Sequence, residues 1–172
     1  GKLRGWLRSN SRAEATRALS FAKRHKVQGT LEAGARVGEL AAEIKASGLG
    51  VALGMFTETR SHHSAQSAVA LARESVPFGF CLNAKARHAS SLRLSAAVCR
   101  KAGLSAQDAW AALTSGAATA TGIQDGVGEL APGRDADLVL WTGAPTELTS
   151  QVLRVWVDGQ AVDGIKAKQG AK

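Results

Sequence analysis

Three features of this 172-residue chain predict an α/β fold built on a parallel sheet. Four short apolar segments are each followed by a segment with helical spacing. The segments carry too few polar residues to face water on either side, as expected of strands buried beneath helices. The repeat of roughly 25 residues suits either a segment of a barrel or an open doubly wound sheet.

Leu3 to Leu7 is the first strand, and Ser11-Arg12-Ala13-Glu14 has the spacing of a capping box that opens a helix with Ala15, Leu19 and Ala22 on one face. That helix ends near His25, which favours the dipole there. Val27 to Leu31 is the second strand, followed by a helix over Ala35 to Ala46 with Val37, Leu40, Ala41 and Ile44 at helical spacing, stopped by Gly48. Leu49 to Phe56 is the third strand, Ser64 to Glu74 an alanine-rich helix, and Val76 to Leu82 the fourth strand. The rhythm then changes. Ser90 to Ala102 is a helix closed by Gly103, Ser105 caps a helix through Leu113, and a short helix follows at Ala117 to Thr121. Beyond Gly126 the pattern is of strands: Ala136 to Trp141, then Val152 to Asp158, with Asp158-Gly159 as a tight-hairpin signal returning through Ala161-Val162. Three regions result: 1–125 as the βα region with trailing helices, 126–163 as a small β element, and 164–172 as a flexible basic tail.

A composition of 45% hydrophobic and 21% charged residues is that of a soluble globular protein. No apolar run approaches the roughly 18 residues that cross a bilayer, so no membrane partner is expected. The sole methionine is Met55, so residue 1 is not expected to be the natural start, and any targeting segment would precede it. The compartment expected is the cytoplasm. Cys81 and Cys99 lack a CxxC spacing and are expected to pack in the core. Of the net charge of +8, residues 1–26 hold eight Lys or Arg against the single acid Glu14. With no nucleic-acid motif, this stretch is read as a solvated helix face rather than a nucleic-acid surface.

The stretch GVGELAPGRDADLVLWTG, residues 126–143, asks whether Asp135 and Asp137 are catalytic. Pro132-Gly133 suits a type II turn, and Ala136 to Trp141 is a strand. The segments AWAALTSGAATATGI, VGELAPGRDADLVLWTG and VLRVWVDGQAV, in that order, resemble the carboxyl-terminal end of the metal-dependent amidohydrolase superfamily, in particular its imidazolonepropionase-like, cyclic-amidohydrolase branch. The resemblance implies that residues 1–104 are the second half of a (β/α)8 TIM-type barrel of about four βα units, followed by a β-sandwich piece. It also implies that the two aspartates are structural, since this segment leads the chain away from the metal.

Members of that superfamily hydrolyse C–N bonds of amides or cyclic imidic rings with one or two divalent metals such as zinc. The ligands are an HxH pair after the first barrel strand, histidines after the fifth and sixth, and an aspartate after the eighth. If Leu3 to Leu7 is the fifth strand, the histidine position falls at Arg8 or Asn10. In the sixth unit it falls at Ala33, and Asn83 stands at the aspartate position. Arg is always cationic, Asn is a weak neutral donor, and neither replaces the expected ligand. The HxH motif is absent, and no cofactor is expected in this chain. His62 and His63 form the only histidine pair, but adjacent side chains diverge and seldom share one metal. His88 is a candidate acid or base beside the active-site mouth, read against a loop histidine. Ser61, Ser64 and Thr57 offer hydroxyls without a GxSxG elbow or SxxK motif.

The expectation is a fragment of an amidohydrolase-like protein with an incomplete, degenerate metal site, inactive alone and partnered by its missing amino-terminal half or by a second copy. The alternative is a non-catalytic anion-binding or scaffold protein on the same fold, with Arg8, Asn83, Lys85 and Arg87 around a small anionic ligand.

Overall fold

The computed structural model describes residues 3–34, 36–54, 61–82 and 90–162. Its larger part is a sheet of four parallel strands in sequential order: β1 (Gly5–Ser9), β2 (Gly29–Ala33), β3 (Gly50–Gly54) and β4 (Phe78–Cys81). Helices α1 (Arg12–His25), α2 (Ala41–Ser47) and α3 (Ser61–Arg73) connect them, and α4 (Ser90–Lys101), α5 (Ala106–Ala111) and α6 (Ser115–Thr121) follow. A second, antiparallel sheet contains β5 (Leu138–Trp141), β6 (Val152–Val157) and β7 (Gln160–Ala161). Among the described residues no helix is long and apolar enough to cross a membrane.

The expected elements are present in the expected order, with boundaries moved by one to three residues where chain direction depends on packing. The largest difference lies over 35–46. Val37–Leu40 is a 3-10 turn and only Ala41 onward is α-helical, because the Gly38 backbone comes so close to α3 that a Cβ there would sit 2.5 Å from Ser67 Cα. The tighter winding brings the chain into that contact, and the Gly38 N–H donates to Ser67 Oγ at 3.0 Å.

Local signals set the helix ends. Ser11 Oγ accepts from the Glu14 N–H at 3.3 Å, while Glu14 Oε2 accepts from the Asn10 N–H at 2.7 Å, so the reciprocal arm of the capping box lands one residue earlier than expected. Lys26 closes α1 in the left-handed region at φ 52, and the His25 ring packs on Phe21 with centroids 4.5 Å apart. At α5, Ser105 Oγ accepts from the Asp108 N–H at 3.0 Å and its hydroxyl donates to Asp108 Oδ2 at 2.6 Å.

Strand registers divide the parallel sheet into two faces. Leu31, Val51 and Phe78 align across it, as do Ala33, Leu53 and Phe80. This face is covered by the helices: Leu31, Leu53, Ile44 and Leu71 are fully buried in one cluster with Ala15, Leu19 and Val69. Each such aliphatic side chain contributes about 1.5–3 kcal/mol through burial. Cys99 on α4 is in the same cluster, and burial pushes its thiol up to about 12.

The opposite face carries Trp6, Arg8, Thr30, Glu32, Gly50, Ala52 and Gly79. Helix α6 lies across its amino-terminal end, where Thr30 Oγ1 donates to the Ala120 carbonyl at 2.7 Å. The helix fits because the strands offer glycine there. A Cβ at Gly50 would meet Ala120 Cα at 2.4 Å, and one at Gly79 would meet Ala117 Cβ at 2.5 Å.

The small sheet is shaped by turns. Asp158 and Gly159 both have positive φ, 50 and 74, as a two-residue hairpin of the primed kind requires. The Asp158 N–H donates to Asp137 Oδ1 at 2.9 Å, so Asp137 braces the hairpin. Gly133 has φ 81 after Pro132, in keeping with the type II turn, and Arg134 donates to the Gln124 carbonyl while the Asp135 N–H reaches the Gly126 carbonyl. The sheet is fastened to α4 by Arg93. Its guanidinium donates to the carbonyls of Pro145 at 2.8 Å, Glu147 at 2.6 Å and Ser150 at 2.9 Å, and stands 4.4 Å from the centre of the Trp141 ring.

Candidate functional site

In an open parallel sheet, ligands bind beyond the carboxyl ends of the strands, where loops diverge. At that end, on the face left free by the main helix layer, β1 and β2 bring three side chains together. Trp6 and Arg8 point to the same side because strand side chains alternate with period two. Glu32 is the register partner of Arg8 and reaches both. Its Oε2 accepts from Trp6 Nε1 at 2.8 Å, and its Oε1 is 2.9 Å from Arg8 Nη2. Each carboxylate oxygen thus holds one neighbour.

The Glu32 side chain is 13% exposed and that of Arg8 63%. Partial burial pulls the Glu32 carboxyl upward, but the hydrogen bonds from Trp6 and Arg8 and the guanidinium charge outweigh it, leaving the group below its ordinary 4.5. The bond to Glu32 in turn raises Arg8, with a further small contribution from Cys81 at the end of β4.

A carboxyl depressed in the folded state adds stability that is present above its unfolded value and lost as pH falls through the folded one. Wild type should exceed Glu32→Gln in melting temperature at pH 7, and the gap should narrow at about pH 3. A gap of equal size at both pH values in calorimetry would show that the charge on Glu32 plays no part.

The candidate residues read from sequence are placed as follows. Arg8 is on the open face, as its assignment to a strand tip requires. Ala33 is on the covered face, 6% exposed within the helix-packed cluster, so the side chain directed to the open face from this segment is that of Glu32. In a strand one residue reverses the side. Asn10 follows β1 and is engaged at the cap of α1. His62 and His63 lie exposed in the first turn of α3, with ring centroids 5.7 Å apart in an edge-on arrangement. Nearby, Glu39 is held below its ordinary value by hydrogen bonding from Arg36 first and by Arg12 and His63 more weakly. Its carboxylate is 2.7 Å from Arg36 and 3.5 Å from Arg12. Asn83, His88, Lys85, Arg87 and Thr57 lie outside the described residues. Ser64 is buried within α3.

This donor set does not suit a divalent cation. Arg8 is cationic and both oxygens of Glu32 are engaged. Among the described residues no group of three His, Cys, Asp or Glu converges. Trp6 and Glu32 were missed by sequence reasoning, although a signal existed: Trp6 and Arg8 are two residues apart on a strand, and TLEAG places one acid in a segment otherwise read as buried. A separate open cleft of about 330 Å³ lies at the opposite, amino-terminal end of the strands, lined among others by Val76, Pro77, Asp108 and Glu129. It is remote from the strand tips, and burial of the sheet end by α5 and α6 accounts for its position.

Comparison with known proteins adds the following. The sequence profile described as the amidohydrolase family matches residues 11–162. No curated protein matches. Among solved structures, the chain is similar to an amidohydrolase from Thermotoga maritima MSB8, with 22% identity and a TM-score of 0.81 over 93% of this chain and 43% of that one. An uncharacterised protein is similar at 20% identity and a TM-score of 0.71, covering 91% of this chain and 44% of its own. A further amidohydrolase, also 20% identical, gives a TM-score of 0.67 with the same coverages. At such identities the likeness is one of fold. The chain spans less than half the length of these structures.

Proposed function

This chain belongs to the amidohydrolase family, and from that premise we propose that it supplies the carboxyl-terminal half of a (β/α)8 barrel of the imidazolonepropionase-like branch, with a degenerate metal site. In this reading the chain alone does not hydrolyse C–N bonds of amides or cyclic imidic rings. The observation that carries the reading is the identity of the groups at the strand tips. An arginine bonded to a carboxylate occupies the ends of β1 and β2, where hydrolysis of the family type needs groups able to ligate a metal and to accept a proton from water.

Asn83 stands in this reading at the position of the family aspartate, and an amide there accepts no proton. His88 is the remaining candidate acid or base. His62 and His63 are at most a weak pair for a metal, and the chemistry assigned to zinc in relatives is not assigned to any residue here. The partner is the missing amino-terminal half or a second copy. Among the described residues β1 and β4 each have one hydrogen-bonded neighbour, which leaves an outer edge on both sides of the sheet.

The test combines three measurements on the purified chain: mass by light scattering, bound metal by elemental analysis, and hydrolysis of a five-membered cyclic imide such as hydantoin. The expected result is a chain without stoichiometric zinc and without turnover above background. Zinc held one per chain together with turnover abolished by a chelator would overturn the proposal, and a compact monomer would remove its half-barrel part.

The second reading, an anion-binding protein on the same fold, is favoured by one observation. Arg8 uses one of its amino groups on Glu32 and keeps the other N–H donors directed away from that bond.

A further inference from the structure

We infer that the outer face of α1 is a surface for single-stranded nucleic acid, with Phe21 and His25 as a stacking platform and Arg17 and Arg24 taking the phosphates on either side. The inference is independent of both readings above, since this face lies on the outside of the helix layer and shares no group with the strand tips.

Helix geometry sets the arrangement. Ala15, Leu19 and Ala22 turn into the core. At about 3.6 residues per turn the opposite side presents Arg17, Phe21 and Arg24, and all three are exposed. Phe21 stands one turn from each arginine, and the two arginines are about 10 Å apart along the axis. The Phe21 ring is 50% exposed and packs on the ring of His25 with centroids 4.5 Å apart and a tilt of 41°, which limits its rotation. Composition alone gives a solvated helix face; the structure adds a paired ring held between cations.

The charge on this face is not cancelled. Lys23 and Lys26 extend it, and among the described residues Arg17, Lys23, Arg24 and Lys26 make no ion pair. The carboxylates on α1 and on the elements packed against it are Glu14, Glu32, Glu39 and Glu43. Glu32 is paired with Arg8, Glu39 is held by Arg36 and Arg12, and Glu14 is turned back to the Asn10 N–H. Glu43 is left against four cations, in a chain whose net charge is +8.

A flexible strand satisfies both features at once. Its phosphates take the guanidiniums while an unstacked base lies on the ring pair, and the contact is tolerant of sequence because every base has a π-face. A duplex keeps its base faces in its own stack and would use the arginines alone. An anionic bilayer fits less well, because the apolar stripe of α1 is spent on the core and leaves one phenyl ring to enter lipid.

Fluorescence anisotropy of the full chain with a labelled oligothymidylate of about 20 nucleotides tests this, beside an abasic strand and a duplex of the same length and vesicles of phosphatidylglycerol and phosphatidylcholine. The oligothymidylate should bind saturably at about 50 mM salt, and about tenfold more tightly than the abasic strand. The slope of log affinity on log salt should be about −2, and Arg17→Gln and Arg24→Gln should each reduce its magnitude by about 0.7. Phe21→Leu should weaken the oligothymidylate about tenfold and leave the abasic strand unchanged. These three positions are exposed, and circular dichroism checks that each variant is folded. Arg73→Gln combined with Lys101→Gln removes the charge of two cations from α3 and α4 and should leave affinity within about twofold. No saturable binding, equal affinity for the abasic strand or the duplex, or a loss in the Arg73 and Lys101 control equal to that of Arg17→Gln with Arg24→Gln would each overturn the inference. So would vesicle binding sensitive to Phe21→Leu in place of strand binding. None of these outcomes bears on the hydantoin and zinc measurements, so the two proposals fail separately.

Discussion

Replacing Gly50 with valine should unfold this protein or cost it more than about 4 kcal/mol. Gly50 begins β3 on the face that receives α6. A Cβ built there lies 2.4 Å from both Cα and the carbonyl oxygen of Ala120, which are backbone atoms with no rotamer to move. Relief requires α6 to lift, and lifting it breaks the bond from Thr30 Oγ1 to the Ala120 carbonyl. A Cβ at Gly79 would also strike α6, at 2.5 Å from Ala117 Cβ and 2.8 Å from its Cα. Gly50→Ala separates this cause from the general weakness of glycine in strands. If glycine were only a poor strand former, alanine would stabilise by about 0.5–1 kcal/mol. Steric exclusion predicts the opposite sign, a loss of about 1–3 kcal/mol in urea unfolding. A neutral or stabilising Gly50→Ala would refute the close approach of α6.

Arg93→Ala should free the small sheet from the rest of the molecule at a cost of about 2–4 kcal/mol. Three backbone carbonyls, of Pro145, Glu147 and Ser150, lose their donor together, and Trp141 loses the cation stacked on its ring. Thr146 and Ser150 are buried, so water does not simply replace the missing N–H groups. Arg100 reaches the same segment but offers only a 3.4 Å contact to Thr146 Oγ1. Hydrogen exchange locates the effect: amides of β5 and β6 should exchange faster while those of β2 and β3 keep their protection. Arg93→Lys should recover little, because an ammonium cannot serve three divergent acceptors with the geometry of a fork. Unchanged exchange in β5 and β6 of Arg93→Ala would show that the sheet is held by other means.

The order of elements was legible in the chain because each is specified locally. Ser11 and Ser105 announce helix starts through caps that form, Gly48 and Gly122 end helices in the left-handed region, and Asp158-Gly159 makes a hairpin wherever it is placed. The site was legible only in part. Arg8 and Ala33 were both read at positions where the family would carry a histidine; the structure puts Arg8 on the open face and Ala33 on the covered one, with Glu32 as the open-face residue of that segment. Nothing in the five residues TLEAG says which alternate set faces the helices; the apolar flanks on both sides hide the phase. The 3-10 turn at Val37–Leu40 was hidden for a similar reason, because its cause is Ser67, 29 residues away from Gly38.

By itself, then, the amino-acid sequence determined four βα units, a trailing hairpin sheet and membership of a family, since periodicity, caps and turns act over a few residues. Tertiary structure alone decided which side of the sheet is covered, why Gly50 must lack a side chain, and that one carboxylate holds a tryptophan and an arginine at the strand ends. Those outcomes depend on atoms brought within 3 Å of each other from positions 26 or 90 residues apart, and local conformational preference carries no information about such approaches.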